Sequence, residues 1–274
     1  MLKIYNKNIC KKLSIGYCSS GGRNNVGNVT VNGRGGGLYK RYKYIDFKRN
    51  FINVKCIIKS IEYDSNRNSF IGLVLYSNKM FSYVILTKGA KVGDTLESFG
   101  EKMDLYSHKH GNSVLLKNCY KGECVHSIEF KPGSGGKLCR SAGSSSLILN
   151  VTNNFCYLKL PSGELRLFLN SCRCTLGVVS NELFNRIDYL KAGDVRRIGR
   201  RPKVRGVAKN PVDHPHGGGE GKTSGGRPSV NVKGFYTKGS KTKVFDNFLI
   251  IKKKKDFNTS AGYVLYKFLK KYDK

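Results

Sequence analysis

Residues 206–221 read GVAKNPVDHPHGGGEG, and this run limits the chain more than any other. Pro211 and Pro215 fix their own φ and push Asn210 and His214 toward extended backbone. Gly217, Gly218 and Gly219 let the main chain turn sharply and approach another surface with no Cβ in the way. No regular helix or strand can run through such a segment, so a partner is expected to hold it. The surrounding arginines and lysines make that partner polyanionic.

The chain has 274 residues and a formal net charge of +32, with 50 basic against 18 acidic side chains. That far exceeds what solubility needs and implies a nucleic acid or an anionic surface. Residues 1–50 carry +10, 51–118 carry +3, 119–190 carry +3 and 191–274 carry +16. Two nearly balanced middle segments between two cationic ends predict a compact body with arms that neutralise phosphate.

No run of about 18 apolar residues occurs, so no membrane span is expected, and no apolar core follows the basic N-terminus as a secretory signal requires. Nine cysteines without a repeated CxxC pair argue against a disulfide framework and offer little to zinc. They are expected as small buried hydrophobes or free thiols, with Cys172 and Cys174 on one face of a strand.

From Asn53 to Leu86, NVKCIIKSIEYD, FIGLVLYS and MFSYVILTK read as three strands separated by the turns DSNRN and SNK. Shorter strands near 95–99 and 113–118 make five over 51–118, which suits an oligonucleotide-binding (OB-fold) barrel. VHSIEF, SLILNVT, CYLKLPS, ELRLFL and CTLGVV form a second β unit within 119–192, with PSGE at 161–164 as a hairpin turn. Short strands and close turns favour an SH3-like barrel. The fold class is therefore mainly β: an OB-fold barrel, then an SH3-like barrel, with extended basic N- and C-terminal arms over 1–50 and 193–255. A helix is expected over 181–190, capped by Ser180, with Leu183, Phe184, Ile187 and Leu190 on a core face. Residues 256–274 form a C-terminal extension, where Leu265, Phe268, Leu269 and Tyr272 beside Lys267, Lys270 and Lys271 predict a basic amphipathic helix.

In the N-terminal arm, SGGRNNVGNVTVNGRGGGLYKRYKYIDFKR (20–49) interleaves cations with Tyr39, Tyr42, Tyr44 and Phe47. Backbone at Gly35, Gly36 and Gly37 can approach phosphate, arginines can clamp it, and aromatic rings can stack on unpaired bases. Tyr44 and Phe47, beside IDF, are expected to start the barrel core instead. In the C-terminal arm, Arg196, Arg197, Arg200, Arg201 and Arg205 are expected phosphate ligands.

These segments closely resemble the universal large-subunit ribosomal protein two family. GRNN, GGG and IDFKR, then IEYDSNRNSFIGLVLY (61–76), VHSIEFKPGSGGKLCRSAG (125–143), LPSGELRL (160–167), KAGDVRRIGRRPKVRGVAKNPVDHPHGGGEGKTSGGRPSV (191–230) and KGSKT (238–242) look like successive blocks of that family, in order, over about residues 20–255. Lys209 stands where the family usually has methionine, and VNVKGF (230–235) replaces its usual tryptophan motif. The resemblance implies an OB-like and an SH3-like barrel whose arms thread rRNA, with the 206–221 loop near the peptidyl transferase centre.

It implies rRNA contacts by Arg23, Asn24, Asn25, Arg34, Gly35, Gly36, Gly37, Tyr39, Lys40, Arg41, Tyr42, Lys48, Arg49, Lys137, Arg140, Arg196, Arg197, Arg200, Arg201, Arg205, Asn210, Asp213, His214, His216, Gly217, Gly218, Gly219 and Lys222. The expected partners are large-subunit rRNA, neighbouring large-subunit proteins and the small subunit across a bridge. No cofactor is expected beyond structural Mg²⁺ that accompanies rRNA.

Two rival readings stand beside this one: an RNA-processing enzyme built on Asp213, His214, His216 and Glu220, and a free-standing single-strand binder. Lys outnumbers Arg 35 to 15, and 23 Asn with no Trp suggest an AT-rich genome. A mitochondrial ribosome is therefore expected, with plastid or bacterial cytoplasm as alternatives. Residues 1–20 read equally as transit peptide or as mature arm.

Overall fold

A computed structural model describes residues 11–100, 108–221, 223, 225–239 and 249–252. The chain divides into two compact units, one holding both β domains and the other built from residues 18–39 and 188–246.

The first sheet has the order β5-β4-β3-β6, all antiparallel, from β3 (Cys56–Glu62), β4 (Ile71–Tyr76), β5 (Phe81–Ile85) and β6 (Thr95–Leu96). Its inner face buries Cys56, Ile58, Ile61, Val74, Tyr76, Val84, Leu86 and Leu96. Gly72 has no side chain because a Cβ there would lie 2.6 Å from Leu86 Cδ2. Burial alternates along the first half of β3, as the pleat requires, whereas β4 is buried or half-buried throughout and β5 is buried over Tyr83–Ile85.

The second sheet has seven strands, β15-β13-β12-β11-β8-β14-β7. They are β7 (Ser113–Leu115), β8 (Cys124–His126), β11 (Ser146–Val151), β12 (Phe155–Lys159), β13 (Leu165–Leu169), β14 (Arg173–Leu176) and β15 (Ile250–Lys252). β9 (Ile128–Glu129) and β10 (Gly136–Leu138) form a separate hairpin. The PSGE turn closes as expected, with the Gly163 and Leu160 amides bonded across it to Leu160 and Glu164 carbonyls. Both curled sheets agree with an OB-fold barrel followed by an SH3-like barrel.

Two strands pair differently from expectation. β7, read as the fifth strand of the first barrel, is hydrogen-bonded to β14 of the second, and meets the first through a bridge between Ser98 and Ser113. Residues 250–252, read as arm, add a strand to the edge of β13. Neither pairing is local, so periodicity carries no trace of it.

The helix expected over 181–190 is a 3-10 segment, Glu182–Arg186, with no buried residue. Asn181 takes a left-handed backbone (φ 62°) and Ser180 does not cap it. The Ser180 hydroxyl instead accepts the Phe70 amide of the first barrel at 3.1 Å. Leu183, Ile187 and Leu190 are exposed rather than core. Beyond Lys191, read as wholly extended, Ala192–Arg197 forms a short helix, α1. Residues 256–274 lie outside the described residues, as does the expected amphipathic helix.

Of residues 1–20, the described part is folded: β1 (Ser14–Tyr17) pairs antiparallel with β2 (Lys40–Lys43). Lys43 points inward to Glu62 at 2.7 Å, both side chains buried. Tyr44, next in the chain, therefore faces out and is half exposed rather than starting the core, while Phe47 is half-buried.

Cys119, Cys156, Cys172 and Cys174 join the second core. Burial pushes the Cys156 thiol up to about 12 and Cys172 up to about 11. These are apolar fillers, and no group of three or more His, Cys, Asp or Glu able to hold a metal occurs among the described residues. No helix among them is long and apolar enough to cross a membrane.

Candidate nucleic-acid interface

Two separate surfaces collect the expected site residues. In the unit that holds both barrels, the centre is Phe47. The Arg140 guanidinium carbon lies 3.8 Å from its ring centroid and that of Arg67 lies at 5.9 Å. Arg140 also donates to the Gly136 carbonyl, and Arg67 Nε is fixed at 2.7 Å by the buried carboxylate of Asp64. Burial, and then the charge of Arg67, lower the pKa of Arg140. Two cations held at one ring, from the turn before β4 and from the segment after β10, suit planar bidentate recognition of phosphate. Lys48 and Lys137 are exposed, as is Arg41, while Lys40 and Tyr42 are half-buried.

Arg67 was not among the expected site residues, because DSNRN reads only as a turn. The available signal was Asp64 three residues earlier: its Oδ1 accepts the Asn66 amide and its Oδ2 holds the guanidinium. Arg49, which was expected to bind RNA, is buried. Its Nε bonds Ser98 Oγ at 3.0 Å and its Nη2 the Glu97 carbonyl at 3.3 Å. It holds the first barrel together and does not face solvent.

The loop of β9 and β10 is built on Glu129, a buried carboxylate. It accepts the Gly135 amide at 2.9 Å, the Gly133 amide at 3.2 Å and the Arg173 amide at 3.0 Å. Charge-assisted bonds of this kind hold the KPGSGG turn, and with it Lys137, against the barrel.

In the other unit the two arms pair with each other. Gly35 donates to Gly199, Arg201 to Gly33 and Leu38 to Arg197. Gly37 is required there because a Cβ would come 2.7 Å from the Arg197 carbonyl. Arg34 and Arg200 lie directly opposite one another across an antiparallel bridge. Like charges so placed repel, and no acidic residue stands in 33–37 or 196–205. Arg23, Arg34, Arg196, Arg197, Arg200, Arg201 and Arg205 are all exposed, and so is Tyr39. Asn24 organises its own loop, its Oδ1 accepting the Val26 and Asn28 amides, while Asn25 is exposed.

The 206–221 loop was expected to need a partner for its shape, yet it closes on itself. The Gly218 amide reaches the Lys209 carbonyl, Gly217 reaches His214, and His214 reaches Asn210. A Cβ at Gly217 would lie 2.3 Å from the Asn210 oxygen, and one at Gly206 would lie 2.5 Å from the His214 ring. His214 is only 8% exposed, covered by its own loop. Its Nδ1 accepts the His216 amide at 3.0 Å, and His216 Nε2 accepts the Val230 amide at 3.1 Å. The rings stack with centroids 5.3 Å apart. Burial, then His216 and Lys209, lower the His214 pKa. Asp213, Asn210 and Glu220 are exposed, Gly218 and Gly219 have positive φ, and Lys222 lies outside the described residues.

Comparison with known proteins agrees with this geometry. Residues 10–98 match the family described as Ribosomal Proteins L2, RNA binding N-terminal domain, and residues 109–234 match Ribosomal Proteins L2, C-terminal domain. The chain is 52% identical over 234 residues, 85% of its length and 83% of the relative's, to the large ribosomal subunit protein uL2m of Reclinomonas americana. It is 45% identical over 249 residues to the large ribosomal subunit protein uL2 of Rhodospirillum centenum and 46% over 247 to that of Rickettsia canadensis, each covering 89% of both chains. The chain therefore belongs to the ribosomal protein L2 (uL2) family.

Proposed function

We propose that this protein is a structural component of the large ribosomal subunit that binds large-subunit rRNA near the peptidyl transferase region and supports subunit assembly. The observation that carries this reading is the paired, acid-free strip of 33–37 against 197–201, in which Arg34 faces Arg200. Such a strip is electrostatically incomplete without phosphate. The Arg67–Phe47–Arg140 cluster supplies a second contact surface. Contacts to neighbouring large-subunit proteins and to the small subunit belong to the same reading, as does Mg²⁺ held by the rRNA. The 52% identity to a uL2m protein favours a mitochondrial ribosome.

The enzyme alternative finds no support. A general base needs a free nitrogen lone pair directed at its substrate. His214 Nδ1 and His216 Nε2 each accept a backbone amide, and the family is structural.

Titrating the full chain with large-subunit rRNA at several salt concentrations tests the proposal. Affinity should fall steeply and linearly on a log–log scale, as expected when many phosphates are neutralised. Salt-independent binding, or none, would contradict it.

A further inference from the structure

On one face of the β1–β2 ribbon, Lys40 and Tyr42 are expected rRNA contacts, but Tyr17 has no assigned role. Residues directly paired across antiparallel strands share a face. Ser14 pairs with Lys43 and Gly16 with Arg41; Ile15 pairs with Tyr42 and Tyr17 with Lys40. Ser14 and Lys43 are buried, with Lys43 Nζ bonded to Glu62 and to the Tyr63 carbonyl. That anchor seats the ribbon at its Ser14–Lys43 end; farther along the same face, Gly16 and Arg41 are exposed. Ile15 is 53% exposed and Tyr17 49%, while Tyr42 is half-buried, with the half-exposed Tyr44 ring edge-on beside it at 5.7 Å.

A two-stranded ribbon gains little stability alone, so apolar and aromatic side chains displayed on its outer face call for an occupant. Charge identifies it. Residues 11–49 carry nine basic side chains and one acidic, Asp46. The Asp46 carboxylate is itself engaged by the Lys48 and Arg49 amides. The occupant must be anionic yet offer flat apolar faces, which is the chemistry of unpaired nucleotides.

We infer that Tyr17 and Tyr42 form a stacking platform for unpaired bases of RNA, with Lys40, directly beside Tyr17, taking a flanking phosphate. Tyr17 and Tyr42 are diagonal neighbours, about 7 Å apart across the ribbon, so each ring takes one base. This deepens the rRNA-binding reading and rests on it. The stretch that contains Tyr17 looks like a transit peptide by composition, and only its pairing with β2 brings it to the surface beside Tyr42.

The test compares the full chain with a Tyr17→Leu/Tyr42→Leu pair and a Tyr17→Phe/Tyr42→Phe pair, titrated with a large-subunit rRNA transcript over a range of salt. The Leu pair should bind more weakly by about tenfold for each stacked base. Its salt dependence should be unchanged, because no cation is lost. The Phe pair should bind like the parent, since a phenyl ring keeps the stacking face. If the parent protein binds and the Leu pair binds equally well, or the Phe pair is weakened as much as the Leu pair, the platform is overturned while the rRNA reading stands. If the parent does not bind, the rRNA reading itself has failed.

Discussion

Arg140 holds its guanidinium 3.8 Å from the centroid of Phe47, so a side chain of the second barrel rests on one from the segment that leads into the first. With Arg67 at the same ring, this cluster is expected to act as one phosphate clamp. Arg67→Met and Arg140→Met should each lower rRNA affinity and reduce the salt slope by about one. Arg140→Lys should not restore binding, because a lysine is a point charge without the planar fork. Phe47→Leu should weaken binding with the slope retained. Equilibrium titration against salt reads all four.

Glu129 is the corresponding structural anchor. Replacing it with Gln turns an amide NH₂ toward backbone N–H groups that now share the carboxylate. Glu129→Gln should destabilise the protein by about 2–4 kcal/mol, as loss of buried, charge-assisted bonds predicts. Urea unfolding measures this, with the m-value unchanged if the folded state keeps its extent.

His126 makes stability depend on pH. Its ring is fully buried beside Arg49, and burial first, then that charge, lower its pKa from 6.5 to about 3. Between these values the unfolded chain binds a proton that the folded chain refuses, so stability rises with pH. The contribution is complete above 6.5 and is lost, at about 1.4 kcal/mol per unit, as pH falls toward 3. His126→Leu should flatten this limb. Urea midpoints at pH 5.0 and 6.5, compared with the parent, decide it.

His214 shapes its loop through a neutral ring. Its folded pKa is lowered, so its stabilising effect is present above 6.5 and declines as acid protonates Nδ1 and displaces the His216 amide. His214→Ala should speed amide exchange at His216 and Gly217. It should leave rRNA uncut, as the parent protein does. Cleavage by the parent that the variant loses would restore the enzyme reading.

Much of this was legible in the chain. The two β units, the PSGE turn and the signature loop follow from strand-forming runs, turn chemistry and ordered motifs. What was not legible depends on long-range pairing. Nothing local tells that Lys43 turns in to meet Glu62, nor that Arg49 serves Ser98 while Arg67 stays partly exposed. All are basic residues near a turn or strand end, and the buried carboxylates and carbonyls that capture some of them lie tens of residues away. The helix over 181–190 failed for the same reason: the hydroxyl expected to cap it was taken by Phe70 of the other barrel. The arms looked unstructured because their hydrogen-bond partners are each other, separated by roughly 160 positions in sequence.

The central claim is that this chain is an integral part of a large ribosomal subunit. Sedimentation of organelle or cell lysate through a sucrose gradient, after a high-salt wash and with magnesium present or depleted, tests it most directly. The chain should comigrate with the large-subunit peak through the wash, and the ribosome it follows identifies the compartment. A pool that stays at the top of the gradient would contradict the claim.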